Sequence, residues 1–363
     1  MVKITSLAQL SALDVASIID VRSPSEFAED HVPGAINLPV LDDVERAEVG
    51  TIYKQVSPFH ARKIGAAKVF RNAARHIETE LSGEDGAWKP LVYCWRGGQR
   101  SGAFTWMLRE IGWRAEVIEG GYQSFRRLVS AALYDTPLPH RIVKIGGYTG
   151  TAKTELLPLI AAQGVQIIDL EGLARHRGSL LGAWSEPQPP QKAFETELAF
   201  ALLHCDPARP VLLESESSTI GKVTLPPSLW QLMKEAPVIE IGAPLEARAA
   251  YLARAYAEVL ADADALKDKL SPLRRVRGQA MLDHWSSLRA SGDMVGLCKS
   301  LAEDHYDPAY RRSRKAHRAP EHYVTLMGFS EGELATAARE IAALMRSYEK
   351  RPRKAASIPA EAS

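Results

Sequence analysis

Cysteine is scarce in this chain: only Cys94, Cys205 and Cys298 occur in 363 residues, and they stand far apart. No pair has the spacing of a metal-ligand set, and an odd number does not fit a disulfide framework. Free thiols in a reducing compartment are the expectation. Long apolar runs are missing too, since no stretch reaches the ~18 uninterrupted apolar residues of a membrane span. The N-terminal segment is broken by Gln9 and Asp14 and lacks a cleavage-site pattern, so it does not read as a secretory signal. Net charge is nearly absent: 45 Lys and Arg against 44 Asp and Glu leave +1, which excludes a globally basic nucleic-acid coat. The expected protein is soluble and cytoplasmic.

What is present is enough to build cores. Hydrophobic residues make up 46% and charged residues 25%, as in folded globular chains. At about 100–200 residues per domain, the length implies two domains. Ser17–Val21, Ala35–Leu38, Leu91–Cys94 and Ala115–Ile118 read as short buried strands, with helices around Ala61–Leu81 and Ser101–Ile111. This alternation predicts an α/β domain with a mostly parallel sheet over residues 1–134. Two prolines in Asp135–His140 mark a linker. A second α/β pattern follows in Ile142–Gly146, Val165–Asp169, Val211–Glu214 and Val238–Ile241, with a Pro-rich loop at Glu186–Gln191. From Pro244 the chain reads as mainly helical and basic, so the second domain is assigned to residues 141–350 and a flexible tail to residues 351–363. No internal repeat is visible.

Two segments carry chemistry. The first, Leu91–Ser101, is a buried strand ending in Cys94, then Arg96, Gly97, Gly98, Gln99 and Arg100, then a helix beginning near Ser101. Backbone N–H groups at a helix N-terminus favour anions and lower a thiol's pKa. Gly97 and Gly98 permit a tight loop, and Arg96 and Arg100 add fixed positive charge for a phosphate-like or sulfur-oxyanion ligand. The alternative is an inert cysteine at a buried strand end. The second segment, Ile142–Glu155, is strand, glycine-rich loop and helix, and fits the phosphate-loop pattern at Gly147, Lys153 and Thr154. Tyr148, Thr149, Gly150 and Thr151 complete the loop, while Ala152 replaces its second glycine. The loop N–H groups are expected to cradle a diphosphate, with Lys153 neutralising charge and the Thr154 hydroxyl available to Mg²⁺.

Acidic residues stand at two later strand ends, Asp169 with Glu171 and Glu214 with Glu216. Carboxylates there either face the ligand crevice or cap helices. His176 and Arg177 fall in the same stretch as the first pair. Basic side chains cluster at Arg274, Arg275 and Arg277, in the run Arg311–Arg318 with Arg311, Arg312, Arg314 and Lys315, and at Lys350–Lys354. Such clusters supply phosphate contacts to RNA or form solvated faces. Tyr306 and Tyr310, in HYDPAY, either stack on an unpaired base or pack internally.

Asp20–Pro39 (DVRSPSEFAEDHVPGAINLP) and Gly120–Arg126 (GGYQSFR) resemble the signatures of rhodanese domains, which load sulfur or selenium on a loop cysteine. The five residues between Cys94 and Arg100 exceed the usual sulfurtransferase spacing and equal that of Cys-x5-Arg phosphatases. With CWRGGQRS, GGYTGTAKT, DLEGLARHRGS, ESESSTIG, HYDPAY and the segment Leu41–Ala67, the chain resembles the tRNA 2-selenouridine synthase family over about residues 16–315. It departs from that pattern at Gln99, Ala152, Ser215 and Ser218. The resemblance implies a fusion of a rhodanese domain with a P-loop domain, and a two-step exchange on tRNA carrying 2-thiouridine at the wobble position. Geranyl diphosphate alkylates the sulfur, and selenium from selenophosphate then replaces it, both donors being co-substrates and no tightly bound cofactor being implied. An ATP-dependent tRNA sulfurtransferase, a phosphatase-like enzyme, and a non-catalytic RNA or phosphate binder with an unreactive Cys94 stay open.

Overall fold

Two parallel sheets organise the chain. The computed structural model describes residues 1–177, 186–314 and 319–351, with the side chains of residues 313 and 314 set aside. Lys315–Arg318 of the basic run, residues 178–179 of the DLEGLARHRGS segment and the tail from residue 352, with most of KRPRK, lie outside the described residues. The chain forms two compact units, Met1–Thr136 with Pro189–Leu203, and Pro137–Gln188 with His204–Ser363. No helix among the described residues is long and apolar enough to cross a membrane.

In the first unit, β1 (Ser17–Asp20), β2 (Ala35–Asn37), β3 (Pro90–Tyr93) and β4 (Glu116–Val117) form a parallel sheet in the order β2-β1-β3-β4. Strand β3 is buried along its whole length, as an apolar strand covered on both faces must be. Ile19, Val92, Phe104 and Leu108 are fully buried at the centre. Helices Asp43–Gln55 and Pro58–Glu78 lie between β2 and β3 in sequence; both open on side-chain caps, from Asp42 and Ser57. The helix Gln191–Leu203 also belongs to this unit. The boundaries read from the sequence placed it in the second domain, but Glu195 pairs with Arg126 and accepts a 2.7 Å hydrogen bond from Tyr134.

In the second unit, β5 (Arg141–Gly147), β6 (Gln166–Ile168), β7 (Pro210–Glu214), β10 (Val238–Gly242) and β11 (His322–Thr325) form a five-stranded parallel sheet in the order β11-β10-β5-β7-β6. A small hairpin of β8 (Thr219–Ile220) and β9 (Val223–Thr224) stands apart from it. The region after Pro244 is not only helical: β11 returns to the sheet edge, and the helix Glu331–Glu349 buries Leu334, Ile341 and Met345 in the core of Ile145, Leu156 and Ile241. A separate helical core gathers around the fully buried Trp285 and Leu297. Strand β5 sits at the middle of the sheet, so the loop at its C-terminal end opens at a crevice where ligands bind in open α/β sheets.

Candidate functional site

Each unit carries one site at the C-terminal end of a central strand. In the first, β3 delivers Cys94 to the start of a tight loop ahead of the helix Gln99–Ile111. The thiol is 3% exposed, and its sulfur accepts hydrogen bonds from the Gly98 N–H at 3.3 Å and the Ser101 hydroxyl at 3.2 Å. Burial alone pushes this thiol up. The Ser101 hydroxyl and backbone, the Arg100 charge and the Gly98 N–H outweigh it and leave the pKa below that of an ordinary thiol. Cys205 and Cys298 are also buried, and burial raises both, Cys298 to about 12.

The rhodanese-like signature explains how this loop is held. Arg22 and Asp20 form a buried ion pair at 2.6 Å, and Arg22 lies 4.0 Å over the Tyr122 ring. Glu26 pairs with Arg100 at 3.0 Å and Arg46 at 2.9 Å, fixing the guanidinium of Arg100 beside the loop. The Gly120–Arg126 segment supports the loop from below: Tyr122 N–H donates to the Cys94 carbonyl at 2.8 Å, and Gln123 N–H to that of Trp95 at 3.0 Å. Arg96 and Gln99 are exposed at the mouth. Replacing Ser101 by alanine removes one donor to the thiolate, so alkylation of Cys94 by iodoacetamide near neutral pH is expected to slow severalfold and its pH profile to move upward. An unchanged profile would show that the hydroxyl does not stabilise the thiolate.

In the second unit, the loop after β5 lines a cleft of about 410 Å³ with Gly147, Thr149, Gly150, Thr151, Ala152, Lys153 and Thr154. Lys153 Nζ donates to the Gly147 carbonyl at 2.9 Å, and Tyr148 packs against Tyr310 with tilted rings whose centroids lie 4.9 Å apart. Ala152 does not break the loop. It adopts φ 55°, ψ 32°, the left-handed conformation the missing glycine would take at lower cost, and it leads directly into the helix Lys153–Ala161.

Of the four candidate carboxylates, the structure brings only Glu171 and Glu216 to the cleft. Asp169 caps the helix Leu170–Ala174 by accepting from Gly172 N–H at 2.6 Å, and Glu214 is buried, accepting from Leu170 N–H at 2.8 Å. Burial, then the charges of Asp169 and Glu171, hold Glu214 well above the usual carboxylate range. Glu216 is pushed up to about 8 by burial and then by Glu171, with Lys153 opposing. The proton held between Glu216 and Glu171 is lost as pH rises through about 8, which adds a negative charge beside the loop. Pyrophosphate affinity is expected to fall across that window, and Glu216→Gln to flatten the fall relative to wild type, as read by calorimetry from pH 6.5 to 9. Equal slopes in the two proteins would remove Glu216 from the account.

Arg248, Asp307, Glu240, Tyr251 and Tyr256, at and around this cleft, escaped the sequence reading. Arg248, 3% exposed, forms a two-pronged pair with Asp307 at 2.9 and 2.7 Å and donates to the Thr149 carbonyl at 3.1 Å. The Tyr310 hydroxyl accepts from Gly147 N–H at 2.8 Å and donates to the Glu240 carboxylate at 3.0 Å. Tyr306 and Tyr310 thus line the cleft, together with Tyr251, Tyr256 and Arg177. His176 is absent from that lining, and burial lowers its pKa. Arg274 and Arg275 are exposed on the short helix Arg274–Arg277, and Arg311 and Arg312 on the helix Asp307–Arg314, whose last residue is Arg314. The charges of Arg277 and Arg312 both bear on His305, which brings the two basic runs near each other. Among the described residues no group of three or more His, Cys, Asp or Glu is gathered to hold a metal ion.

Comparison with known proteins agrees with both halves. Residues 4–128 match the rhodanese-like domain family, and residues 140–279 the family described as tRNA 2-selenouridine synthase AAA domain. The tRNA 2-selenouridine synthase of Hahella chejuensis is 34% identical over 338 residues, covering 84% of this chain and 88% of that protein. Those of Nitrosomonas europaea and Bdellovibrio bacteriovorus are 38% and 36% identical, over 66% and 64% of this chain. In these two cases the match spans 63% and 62% of the relative's own length.

Proposed function

This chain belongs to the tRNA 2-selenouridine synthase family, and we propose on that premise that it exchanges the sulfur of wobble 2-thiouridine in tRNA for selenium through an S-geranylated intermediate. The observation that carries the reading is the presence in one chain of a buried, acidified thiol beside Arg100 at a helix-opening loop and a lysine-bearing loop of the P-loop type.

In the first step the thiouridine sulfur attacks C1 of geranyl diphosphate. The carbon–oxygen bond breaks, diphosphate leaves and the N3 proton is lost. Lys153 and the loop N–H groups take up the charge growing on the departing diphosphate. A Mg²⁺ accompanying the diphosphate would be held by Thr154 and the phosphate oxygens. In the second step the phosphorus–selenium bond of selenophosphate is cleaved by water to phosphate and hydrogen selenide. The selenide adds at C2 and geranylthiolate departs, leaving 2-selenouridine with its N3–H restored. Selenium stays at the selenide level, so no oxidant is consumed. The Cys94 loop, with Arg96 and Arg100, receives the selenophosphate.

Nucleoside mass spectrometry of 2-thiouridine tRNA, incubated with the protein and each donor in turn, tests both steps. Geranylated thiouridine is expected without selenophosphate, and selenouridine with both donors. Cys94→Ala is expected to keep geranylation and lose selenation, and Lys153→Ala to do the reverse when supplied with geranylated tRNA. Loss of both steps in a folded Cys94→Ala protein would refute this division of labour. A dependence on ATP in place of geranyl diphosphate would favour a sulfurtransferase.

One observation favours a second reading. Ser101 directly follows Arg100 in the Cys-x5-Arg spacing and bonds the sulfur, as a phosphatase loop requires. Cys94-dependent release of phosphate from an aryl phosphate would support it.

A further inference from the structure

The helices Asp43–Gln55 and Pro58–Glu78 do more than connect β2 to β3. The first buries none of its side chains completely, although Val49 and Tyr53 lie on the side facing its neighbour. The two helices approach closely at Gly65, where a Cβ would stand 3.2 Å from Val49 Cγ1, and between them a groove of about 770 Å³ opens. That volume lies within the ~300–1,000 Å³ typical of small-molecule clefts. Its bed is apolar, formed by Val49, Ala66, Val69, Phe70 and Ala103, with Tyr53 at the edge. Tyr53 is 55% exposed and Phe70 40%, more than a structural core position would leave in water.

Charge and position narrow the occupant. Arg46, Lys54, Arg62 and Arg100 line the groove, and no carboxylate is among its lining residues. Glu26 fixes two of these cations, Arg46 and Arg100, while Lys54 and Arg62 are exposed to solvent. An apolar bed under a basic rim suits a ligand with a hydrocarbon tail and an anionic backbone. The groove is also continuous with the reactive loop, because Gln99 and Arg100 belong to both. The phosphate cleft of the second unit differs in kind, being lined by Lys153, Glu171 and Glu216.

We propose that this groove seats the prenyl chain of the S-geranylated wobble nucleoside while selenium replaces its sulfur, with the basic rim holding the flanking tRNA phosphates. The proposal rests on the two-step reading above and adds a binding site for the intermediate. It accounts for the apolar floor beside a loop built for small anions. It also gives the leaving geranylthiol an apolar surface next to the site of its release.

The test uses the full chain and two probes, tRNA bearing S-geranyl-2-thiouridine and the same tRNA bearing 2-thiouridine. Wild type is expected to bind the geranylated tRNA more tightly. Ala66→Trp fills the groove from an exposed position, and it is expected to lower affinity for the geranylated tRNA about tenfold or more while leaving the other affinity unchanged. Phe70→Ala, which removes one wall instead of filling the space, is expected to shift binding in the same direction, and thermal melts of both variants report folding. Geranylation from geranyl diphosphate should persist in Ala66→Trp. A wild type that prefers geranylated tRNA, with Ala66→Trp and Phe70→Ala retaining that preference, overturns the groove and leaves the two-step reading intact. A wild type that binds both tRNAs equally overturns the groove, and selenation of the geranylated tRNA in the same sample then decides whether the two-step reading falls with it. Self-association abolished by Ala66→Trp without any change in prenyl preference would assign the groove to a second copy and overturn the proposal.

Discussion

Gly121→Ala is expected to dismantle the cysteine loop while leaving the second unit intact. Gly121 has φ 57°, and a Cβ built on it would stand 2.3 Å from the Cys94 carbonyl oxygen and 2.4 Å from the Gly97 nitrogen. Both are backbone atoms of the loop, so no side chain can swing away to make room. Left-handed alanine costs ~1–2 kcal/mol and forced overpacking ~1–3 kcal/mol more. The loop is expected to yield first, carrying the Gly98 N–H and the Ser101 hydroxyl away from the sulfur. Cys94 should then alkylate at neutral pH like an ordinary buried thiol, selenation should be lost, and denaturation of the first unit should require about 3 kcal/mol less. Gly98→Ala is the control, since Gly98 has φ −103° and nothing within 4 Å of its built Cβ. Equal thiol reactivity in Gly121→Ala and wild type would show that the loop does not depend on this contact.

Arg248→Ala is expected to have an effect of similar size on the second unit. It leaves Asp307, 6% exposed, as an unpaired buried carboxylate, and breaking one side of such a pair costs ~3–5 kcal/mol. It also removes the donor to the Thr149 carbonyl, so the phosphate loop loses an anchor. Stability and anchoring can be separated. Arg248→Met combined with Asp307→Leu replaces the pair by apolar groups of similar volume, which is often close to neutral. That double variant is expected to melt near wild type, while its pyrophosphate binding, measured by calorimetry, stays weak. Recovery of binding along with stability would mean that Arg248 serves only the core.

The eight strands named from the sequence were legible because each is a short apolar run, and a parallel sheet covered on both faces demands such runs. Cys94 and Lys153 were legible for a related reason, since each stands at a fixed offset between a strand and a helix. Arg248 was not, because it occupies a helix, Leu245–Ala255, and its partner Asp307 lies far along the sequence, where no local spacing links the two. The strand His322–Thr325 was hidden by its shortness and by the basic run ahead of it. Among the carboxylates, spacing alone could not separate the cap Asp169 from the cleft residue Glu216, because both stand just beyond an apolar strand. The packing partner of Gln191–Leu203 follows from no local pattern at all.

That helix has a consequence for synthesis. The first unit draws Pro189–Leu203 from beyond the stretch Pro137–Gln188, which belongs to the other unit. On the ribosome, where chains lengthen by ~5–20 residues per second, the leading residues emerge well before the helix that completes them. Until then Arg126 and Tyr134 have no Glu195, and Phe125 lacks Phe200, whose ring packs 6.3 Å from it in the finished protein. A nascent chain released at residue 136 would therefore end with an unfinished surface, and the helical side of the first unit around Arg126 and Tyr134 is completed only after the phosphate loop has been synthesised.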